Sequence, residues 1–147
     1  MTIDVLPTLA RLGGAELSAE RIIDGKDIGT LMTDPARAKS PHDALYLYWG
    51  QELQAVRSGK WKLHFPHNYR SLTGNAGSAG KPGPYVDRMI ELSLFDLESD
   101  NAETKIVAEQ HPDVVERLQQ LAEKTRDDLG DSATKREGKN VRQPGRI

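Results

Sequence analysis

One stretch near the middle of the chain constrains the fold more than any other. Apolar and polar side chains alternate strictly over residues 60–65, so the apolar ones share one face of a strand. The preceding Ser58-Gly59 is a hairpin signal, because glycine supplies the positive φ that a tight turn requires. Residues 53–57 are therefore predicted to form the partner strand of an antiparallel hairpin with one covered face.

Two further strands and a long helix complete the predicted architecture. Residues 43–49 and 91–97 are rich in the aliphatic and aromatic side chains that favour strands. Residues 112–129 carry an apolar stripe at helical spacing, begin with a proline and are followed directly by Gly130. The sequence predicts an α+β fold in which a four-stranded antiparallel sheet is packed by a long C-terminal helix.

Residues 1–40 have the pattern of pieces of a larger α/β domain. A short helix is predicted here, with Asp4 as its N-cap and an apolar stripe of about two turns, which is too short to persist without a partner surface. The stripe consists of Val5, Leu6, Leu9 and Leu12. If the partner surface is missing, we expect these side chains to be exposed, to bind a hydrophobic dye and to promote self-association.

Three segments have weaker patterns. Residues 66–88 have a glycine-rich centre without apolar periodicity and are predicted to form one long loop. Asp100 and Glu103 have capping-box spacing, which predicts a short helix after them. Residues 132–147 carry five basic side chains and form either a solvated basic tail or a segment that docks on an acidic partner surface.

Composition excludes several classes of function. The net charge of −2 argues against a nucleic-acid binder that works by bulk positive charge. The chain has no cysteine, which removes disulfides, thiolate metal sites and a cysteine nucleophile. No apolar stretch approaches the roughly 18 residues of a membrane span. Neither a phosphate-binding loop nor a glycine-flanked serine nucleophile is present.

Candidate site residues cluster at the end of the third predicted strand. His64 lies beside the predicted long loop, in a position where binding sites are often built. With Lys60, Lys62, His67 and Arg70 it can form a cationic rim suited to an anionic substrate. The alternative is an ordinary solvated strand face. A catalytic zinc needs three protein ligands and no third one is marked out, so no metal site is predicted. These residues alone leave the function open.

Three motifs occur in a fixed order along the chain. They are D-V-L-P-T-L at residues 4–9, A-V-R-S-G-K-W-K-L-H-F at residues 55–65 and L-F-D-L at residues 94–97. Together they resemble the C-terminal part of a bacterial type-I sulfatase, closest to the arylsulfatase A and N-acetylgalactosamine-6-sulfatase branch. The chain departs from the family pattern at Asn101 and Ile106, in a structural turn.

The resemblance implies a division of the chain and an activity for its parent. Residues 1–40 correspond to the tail end of the large sulfatase α/β domain, 41–131 to the C-terminal subdomain and 132–147 to a basic tail. Family members use calcium and a formylglycine made from the first residue of C-x-P-x-R or S-x-P-x-R, and this sequence contains neither motif. The parent is expected to be a sulfuric ester hydrolase, and this chain alone is expected to be inactive without the N-terminal domain.

The resemblance also implies where the substrate lies. The histidine of the family's K-x-H-F motif lies near the substrate cleft and corresponds to His64. We therefore expect His64 to contact a sulfated substrate, with Lys62, His67 and Arg70 as further substrate-binding residues and no catalytic residue in this chain. A competing hypothesis is a free-standing module that binds sulfated glycans through Lys60, Lys62 and His64. The family is commonly exported, and nothing in the sequence indicates a nucleic-acid or membrane partner.

Overall fold

A four-stranded antiparallel sheet lies at the centre of residues 44–141, the larger of two units in the chain. The computed structural model describes residues 1–142. The strands of this unit up to its long helix are β1 (Leu45–Trp49), β2 (Glu52–Ser58), β3 (Trp61–His64), β4 (His67–Leu72), β5 (Tyr85–Ile90) and β6 (Ser93–Asp96). The sheet has the order β1-β2-β3-β6, and β4 and β5 form a separate antiparallel hairpin. The predicted α+β fold with a four-stranded antiparallel sheet is thus confirmed.

The register of the central strands explains why one face of the sheet is buried. Leu63 in β3 lies opposite Val56 in β2 and Leu94 in β6, and all three side chains are fully buried. Gly59, in the connection between β2 and β3, has a φ of +58°, as the hairpin signal predicts. Because strand residues alternate between faces, the neighbours of Leu63 in β3 point to the opposite face.

The α-helices of the described residues are α1 (Val5–Leu12), α2 (Gly29–Thr33) and α3 (Pro112–Leu129). The bounds of α3 coincide with the prediction, and its Leu118 and Ala122 pack into the core with Leu53, Val56 and Leu63. Burying one such leucine side chain contributes about 1.5–3 kcal/mol. No helix in this part of the chain is long and apolar enough to cross a membrane.

The prediction of one long loop over residues 66–88 is wrong at both ends. β4 and β5 pair from His67 opposite Ile90 to Leu72 opposite Tyr85, which leaves residues 73–84 as the connection. Most side chains of both strands are exposed, so the segment lacks the alternation that marks a half-buried strand. The pairing therefore left no periodic signal in the sequence.

The capping box predicted at Asp100 and Glu103 does not form. The Asp100 carboxylate accepts the backbone N–H groups of Thr104 and Lys105, both at 2.7 Å, so it stabilises a turn. Glu103 has a φ of +56° and does not reach back to Asp100. Only residues Ala108–Gln110 form a short 3-10 helix before α3.

The basic tail is folded back on its own chain as far as it is described. Strand β7 (Gly130–Asp131) pairs with β8 (Arg136–Glu137). The Arg136 guanidinium lies 2.7 Å from Glu123 and 3.2 Å from Asp127, both in α3. The interpretation as a solvated tail is therefore wrong for Arg136, because the acidic surface that it meets belongs to α3. Residues 143–147, with Arg146, lie outside the described residues.

Residues 1–43, with Arg142, form the smaller unit, and one carboxylate organises it. The Asp4 side chain is 1% exposed and lies 2.8 Å from the Lys26 backbone nitrogen and 2.7 Å from His42 Nε2. Burial raises the pKa of Asp4, but hydrogen bonds from the Met1 amino group, Lys26 and His42 outweigh it and lower the pKa to about 2. Asp4 lies at the N-cap position of α1, as predicted, but its side chain forms no capping hydrogen bond there and binds these three groups instead.

The apolar stripe of α1 is not part of any core in the described residues. Its members, Val5, Leu6, Leu9 and Leu12, are 52–67% exposed. The buried residues of this unit are Asp4, Pro7 and Thr8. The exposure expected for the stripe is thus found, and hydrogen bonds rather than apolar burial fix the conformation of this unit.

Candidate functional site

Lys62, His64 and Glu103 form a hydrogen-bonded cluster on the open face of the sheet. Strand alternation places Lys62 and His64 on the same face of β3, opposite the buried Leu63. The Lys62 Nζ donates to Glu103 Oε1 at 2.6 Å, and His64 Nε2 lies 2.8 Å from Glu103 Oε2. One carboxylate therefore joins both side chains, and we call this arrangement the Lys62–His64–Glu103 cluster.

The pKa shifts in this cluster define which atoms carry protons. Burial raises the pKa of the Glu103 carboxyl, but hydrogen bonds from Lys62 and His64 outweigh burial and leave its pKa below the ordinary value. Burial and the Lys62 charge lower the pKa of His64, against the opposing effect of Glu103. At neutral pH the imidazole is thus neutral, and its Nε2–H donates to the Glu103 carboxylate. Its Nδ1 is buried without a hydrogen-bond partner among the described residues.

His67 supports the imidazole of His64. The two rings are stacked with their centroids 5.4 Å apart and an interplanar angle of 19°. The His67 side chain is buried, and its Nδ1 lies 2.7 Å from the Phe65 carbonyl oxygen, to which it donates. Because the carbonyl fixes this ring, His67 limits the positions open to His64.

Two clefts border the cluster. The first, of about 260 Å³, is lined by His64, His67, Tyr69, Ile90, Phe95, Ala102 and Glu103. The second, of about 400 Å³, is lined by Leu45, Leu47, Arg57, Lys62, Leu97, Asn101 and Glu103. Glu103 lines both clefts, so its carboxylate lies where a ligand in either one would meet it.

The structure brings together three of the four predicted site residues. Lys62, His64 and His67 meet around the cluster, whereas Arg70 lies exposed on β4 and lines a different cleft. Lys60 is not part of the cluster, because its Nζ lies 2.8 Å from Asp96 and 3.8 Å from Glu98. The cationic rim expected from the sequence is therefore interrupted by carboxylates.

Sequence reasoning missed the role of Glu103. It is separated from Lys62 by 41 residues and from His64 by 39, so no local pattern connects them. Its spacing from Asp100 indicated a helix cap instead. One sequence feature could have drawn attention to Glu103. It follows the L-F-D-L motif, in a segment that the family resemblance includes.

The cluster is suited to binding rather than to covalent chemistry. One Lys62 N–H is used by Glu103, and two remain for an anionic or hydroxyl oxygen. No serine or threonine lies in the cluster. Among residues 1–142 no group of three or more His, Asp or Glu side chains is arranged to hold a metal ion.

The structure thus combines an α+β fold with a polar side-chain cluster on its four-stranded sheet. The sequence model of the C-terminal region of aryl-sulfatase matches residues 40–145, and the chain belongs to this family. It is 42% identical over 78 residues to steryl-sulfatase of Mus musculus, a match that covers 50% of this chain and 12% of the relative. It is 31% identical over 133 residues to arylsulfatase A of Homo sapiens, covering 82% of this chain and 25% of the relative.

These relatives are much longer than the match. The chain spans about an eighth to a quarter of the length of these two curated relatives. A solved structure with the same fold is the PsFucS1 sulfatase from Pseudoalteromonas sp., with a TM-score of 0.62 and 20% identity. That match covers 83% of this chain and 24% of the other, and at this identity it bears on the fold alone.

Proposed function

We propose that this chain is the C-terminal region of a sulfuric ester hydrolase and that it borders the substrate cleft of the whole enzyme. In this proposal residues 1–40 are the tail end of the large α/β domain, 41–131 are the C-terminal subdomain and 132–147 are a basic tail. The observation that supports it most is the Lys62–His64–Glu103 cluster, which lies within the matched residues 40–145.

The N-terminal domain supplies the reacting groups in this proposal. A formylglycine would provide the nucleophile, and calcium would provide positive charge beside the sulfate. Neither group is assigned to this chain, because the sequence contains neither C-x-P-x-R nor S-x-P-x-R and the family's calcium-binding aspartates are expected upstream of the matched segment. The chain is therefore a partner of that domain and contributes substrate contacts.

The roles of the cluster follow from its charges. Lys62 carries the positive charge and directs its two remaining N–H groups toward sulfate oxygens, since hydrogen bonds between ions are the stronger ones. His64 is neutral, and its unprotonated Nδ1 accepts a hydrogen bond from a substrate hydroxyl group. Glu103 is a positioning residue that holds both side chains, and His67 holds the His64 ring by stacking. Arg70 is a further substrate contact on the neighbouring hairpin.

The test is a titration of the full chain with 4-nitrophenyl sulfate, followed through the His64 ring resonances by NMR. We expect a saturable shift that Lys62→Met weakens at least about tenfold, a loss of about 1.4 kcal/mol in binding. Lys60→Met is the matched control, because Lys60 pairs with Asp96 and Glu98 instead of Glu103. An unchanged His64 spectrum, or equal effects of both substitutions, would remove the substrate-binding assignment.

The absence of turnover is a separate expectation. With calcium present, the chain alone should not hydrolyse 4-nitrophenyl sulfate, and measurable release of 4-nitrophenol would contradict the proposal. The competing hypothesis of a free-standing module for sulfated glycans has less support, because Lys60, one of the three residues on which it depends, pairs with Asp96 and Glu98 outside the cluster. Salt-sensitive retention on a sulfated-polysaccharide column, lost in Lys62→Ala, would favour that hypothesis.

A further inference from the structure

A third cleft lies between the end of β1 and the β4–β5 hairpin. It has a volume of about 350 Å³ and is lined by Trp49, Gln54, Asn68, Tyr69, Arg70 and Asp87. Trp49 is 76% exposed and Tyr69 is 41% exposed, which is unusual for large aromatic side chains. We call it the Trp49 cleft. The function proposed above uses only its Arg70.

Regular elements of the sheet build this cleft. Leu47 lies opposite Ala55 and Tyr48 opposite Leu53, so Gln54 is the extra residue of a β-bulge in β2. Such bulges redirect side chains and recur next to functional sites. Directly after Trp49, Gly50 adopts a φ of +59° and closes the turn to β2. The positions of Trp49 and Gln54 are thus set by the backbone of a hydrogen-bonded sheet.

The lining combines two aromatic rings with four hydrogen-bonding side chains of balanced charge. Arg70 lies opposite Asp87 in the β4–β5 register, and neither forms an ion pair within 4.0 Å with another described residue. Asn68 adds an amide donor and acceptor, and Gln54 adds its side-chain carbonyl and one N–H, since its Nε2 also donates to Glu52 Oε2 at 3.2 Å. A ligand that fits needs a flat apolar face for the rings and several polar groups at its edge.

A pyranose ring has this chemistry. Its C–H face packs on an aromatic side chain, while its hydroxyl groups exchange hydrogen bonds with guanidinium, carboxylate and amide groups. A nucleobase would stack as well, but a nucleic acid also needs excess positive charge for its phosphates. Arg70 and Asp87 cancel within the cleft, and the whole chain has a net charge of −2. Charge balance therefore favours a sugar.

We propose that the Trp49 cleft binds a pyranose ring of a carbohydrate chain. Tyr69 lines both this cleft and the 260 Å³ cleft beside His64, so a sugar held by Trp49 lies next to the Lys62–His64–Glu103 cluster. Together with the proposed function, on which this step rests, the sugar ring belongs to the substrate whose sulfate group meets the Lys62–His64–Glu103 cluster.

Saturation-transfer NMR on the full chain tests the proposal, with desulfated chondroitin hexasaccharide, cellohexaose and maltohexaose as separate probes. We expect transfer to ring C–H protons of at least one probe, with a Kd on the order of 1 mM. Trp49→Ala should abolish the transfer, and Tyr69→Ala should weaken binding at least about tenfold. Trp61→Phe is the matched control, because the second tryptophan of the chain lies against His111, with ring centroids 4.6 Å apart.

The salt dependence of sugar binding tests whether the opposite charges in the Trp49 cleft cancel. Binding should be unchanged between about 50 and 500 mM salt, since the probe is not held by net charge. No transfer from any of the three probes, equal transfer in Trp49→Ala, or loss of binding at high salt would overturn the proposal. Circular dichroism checks that each variant is folded, and Trp49 is exposed enough for its removal to leave the core intact.

Sugar binding at the Trp49 cleft and sulfate binding at the Lys62–His64–Glu103 cluster are measured with separate probes. The cellohexaose, maltohexaose and desulfated probes carry no sulfate ester, and Trp49 is outside the cluster. No sugar binding together with an intact His64 response to 4-nitrophenyl sulfate overturns only the sugar site. Sugar binding without that response overturns the assignment of the cluster instead.

Discussion

The two units of the chain are stabilised by opposite means. In residues 44–141 the fully buried side chains include Leu63, Leu94 and Leu118, so apolar burial drives the packing. In residues 1–43 the buried positions are Asp4, Pro7 and Thr8, while the leucines of α1 are exposed. Apolar content in the sequence therefore does not show where a core forms. The exposed stripe of α1 is the observation behind the proposal that residues 1–40 belong to a larger domain.

The largest difference in unfolding free energy between the two units is expected from a leucine-to-alanine substitution made once in each unit. Leu118→Ala empties a fully buried site and should reduce the free energy of unfolding by about 3 kcal/mol. Leu9→Ala, also on a helix, removes a side chain that is 61% exposed and should change it by less than about 0.5 kcal/mol. Urea unfolding followed by circular dichroism measures both. Equal losses would show that the stripe of α1 has a packed partner within this chain.

A smaller and more local effect is expected at Asp4. Asp4→Ala leaves the Lys26 amide and the His42 imidazole without their acceptor and should destabilise residues 1–43 by about 2 kcal/mol. Hydrogen exchange at Lys26 should accelerate, while exchange at Leu63 stays protected. Asp34→Ala is the control, because Asp34 is exposed and lies 4.0 Å from Arg37. Acceleration in both units alike would contradict separate stabilisation.

The cluster in the larger unit should give a pH-dependent contribution. Burial and Lys62 hold the folded-state pKa of His64 below the unfolded value of 6.5. Between these two values the unfolded chain binds more protons, so stability is expected to fall as the pH drops below about 6.5. His64→Gln should flatten the slope of unfolding free energy against pH in this window, as measured by urea unfolding at a series of pH values. A slope that persists in His64→Gln would locate the proton uptake elsewhere.

Placing positive charges on the exposed stripe of α1 should have the smallest effect on stability. Its effect on self-association should still be clear. Leu9→Lys with Leu12→Lys replaces two side chains that are 61% and 67% exposed. We expect the unfolding free energy to change by less than about 1 kcal/mol. Dye fluorescence and the concentration dependence of sedimentation should both decrease, because the stripe is the exposed apolar surface of α1. Unchanged dye binding would place the responsible surface outside α1.

The sequence predicted those elements whose residue pattern repeats over neighbouring positions. The alternation around Leu63 and the stripe of α3 repeat over neighbouring residues, so the hairpin and the helix could be read directly from the sequence. The hairpin of β4 and β5 could not, because its exposed faces impose no pattern on the chain. Asp4 and Glu103 were both interpreted as helix caps, the commonest local use of a carboxylate.

Long-range polar contacts explain why the Asp4 side chain does not cap α1 and why Glu103 does not complete a capping box with Asp100. Asp4 binds groups 22 and 38 residues away, and Glu103 binds groups 39 and 41 residues away. Such pairs have no periodicity, so only the folded chain reveals them. The same holds for the Trp49 cleft, whose members come from β1, β2, β4 and β5.

The most direct test of the central claim is the DNA sequence upstream of the Met1 codon. We predict an in-frame continuation that encodes C-x-P-x-R or S-x-P-x-R, the segment from which the family's formylglycine is made. The chain would then be the C-terminal region of a complete sulfatase, and α1 would have its covering domain. A stop codon followed by a ribosome-binding sequence directly ahead of Met1 would contradict this claim and would make the chain a separate small protein.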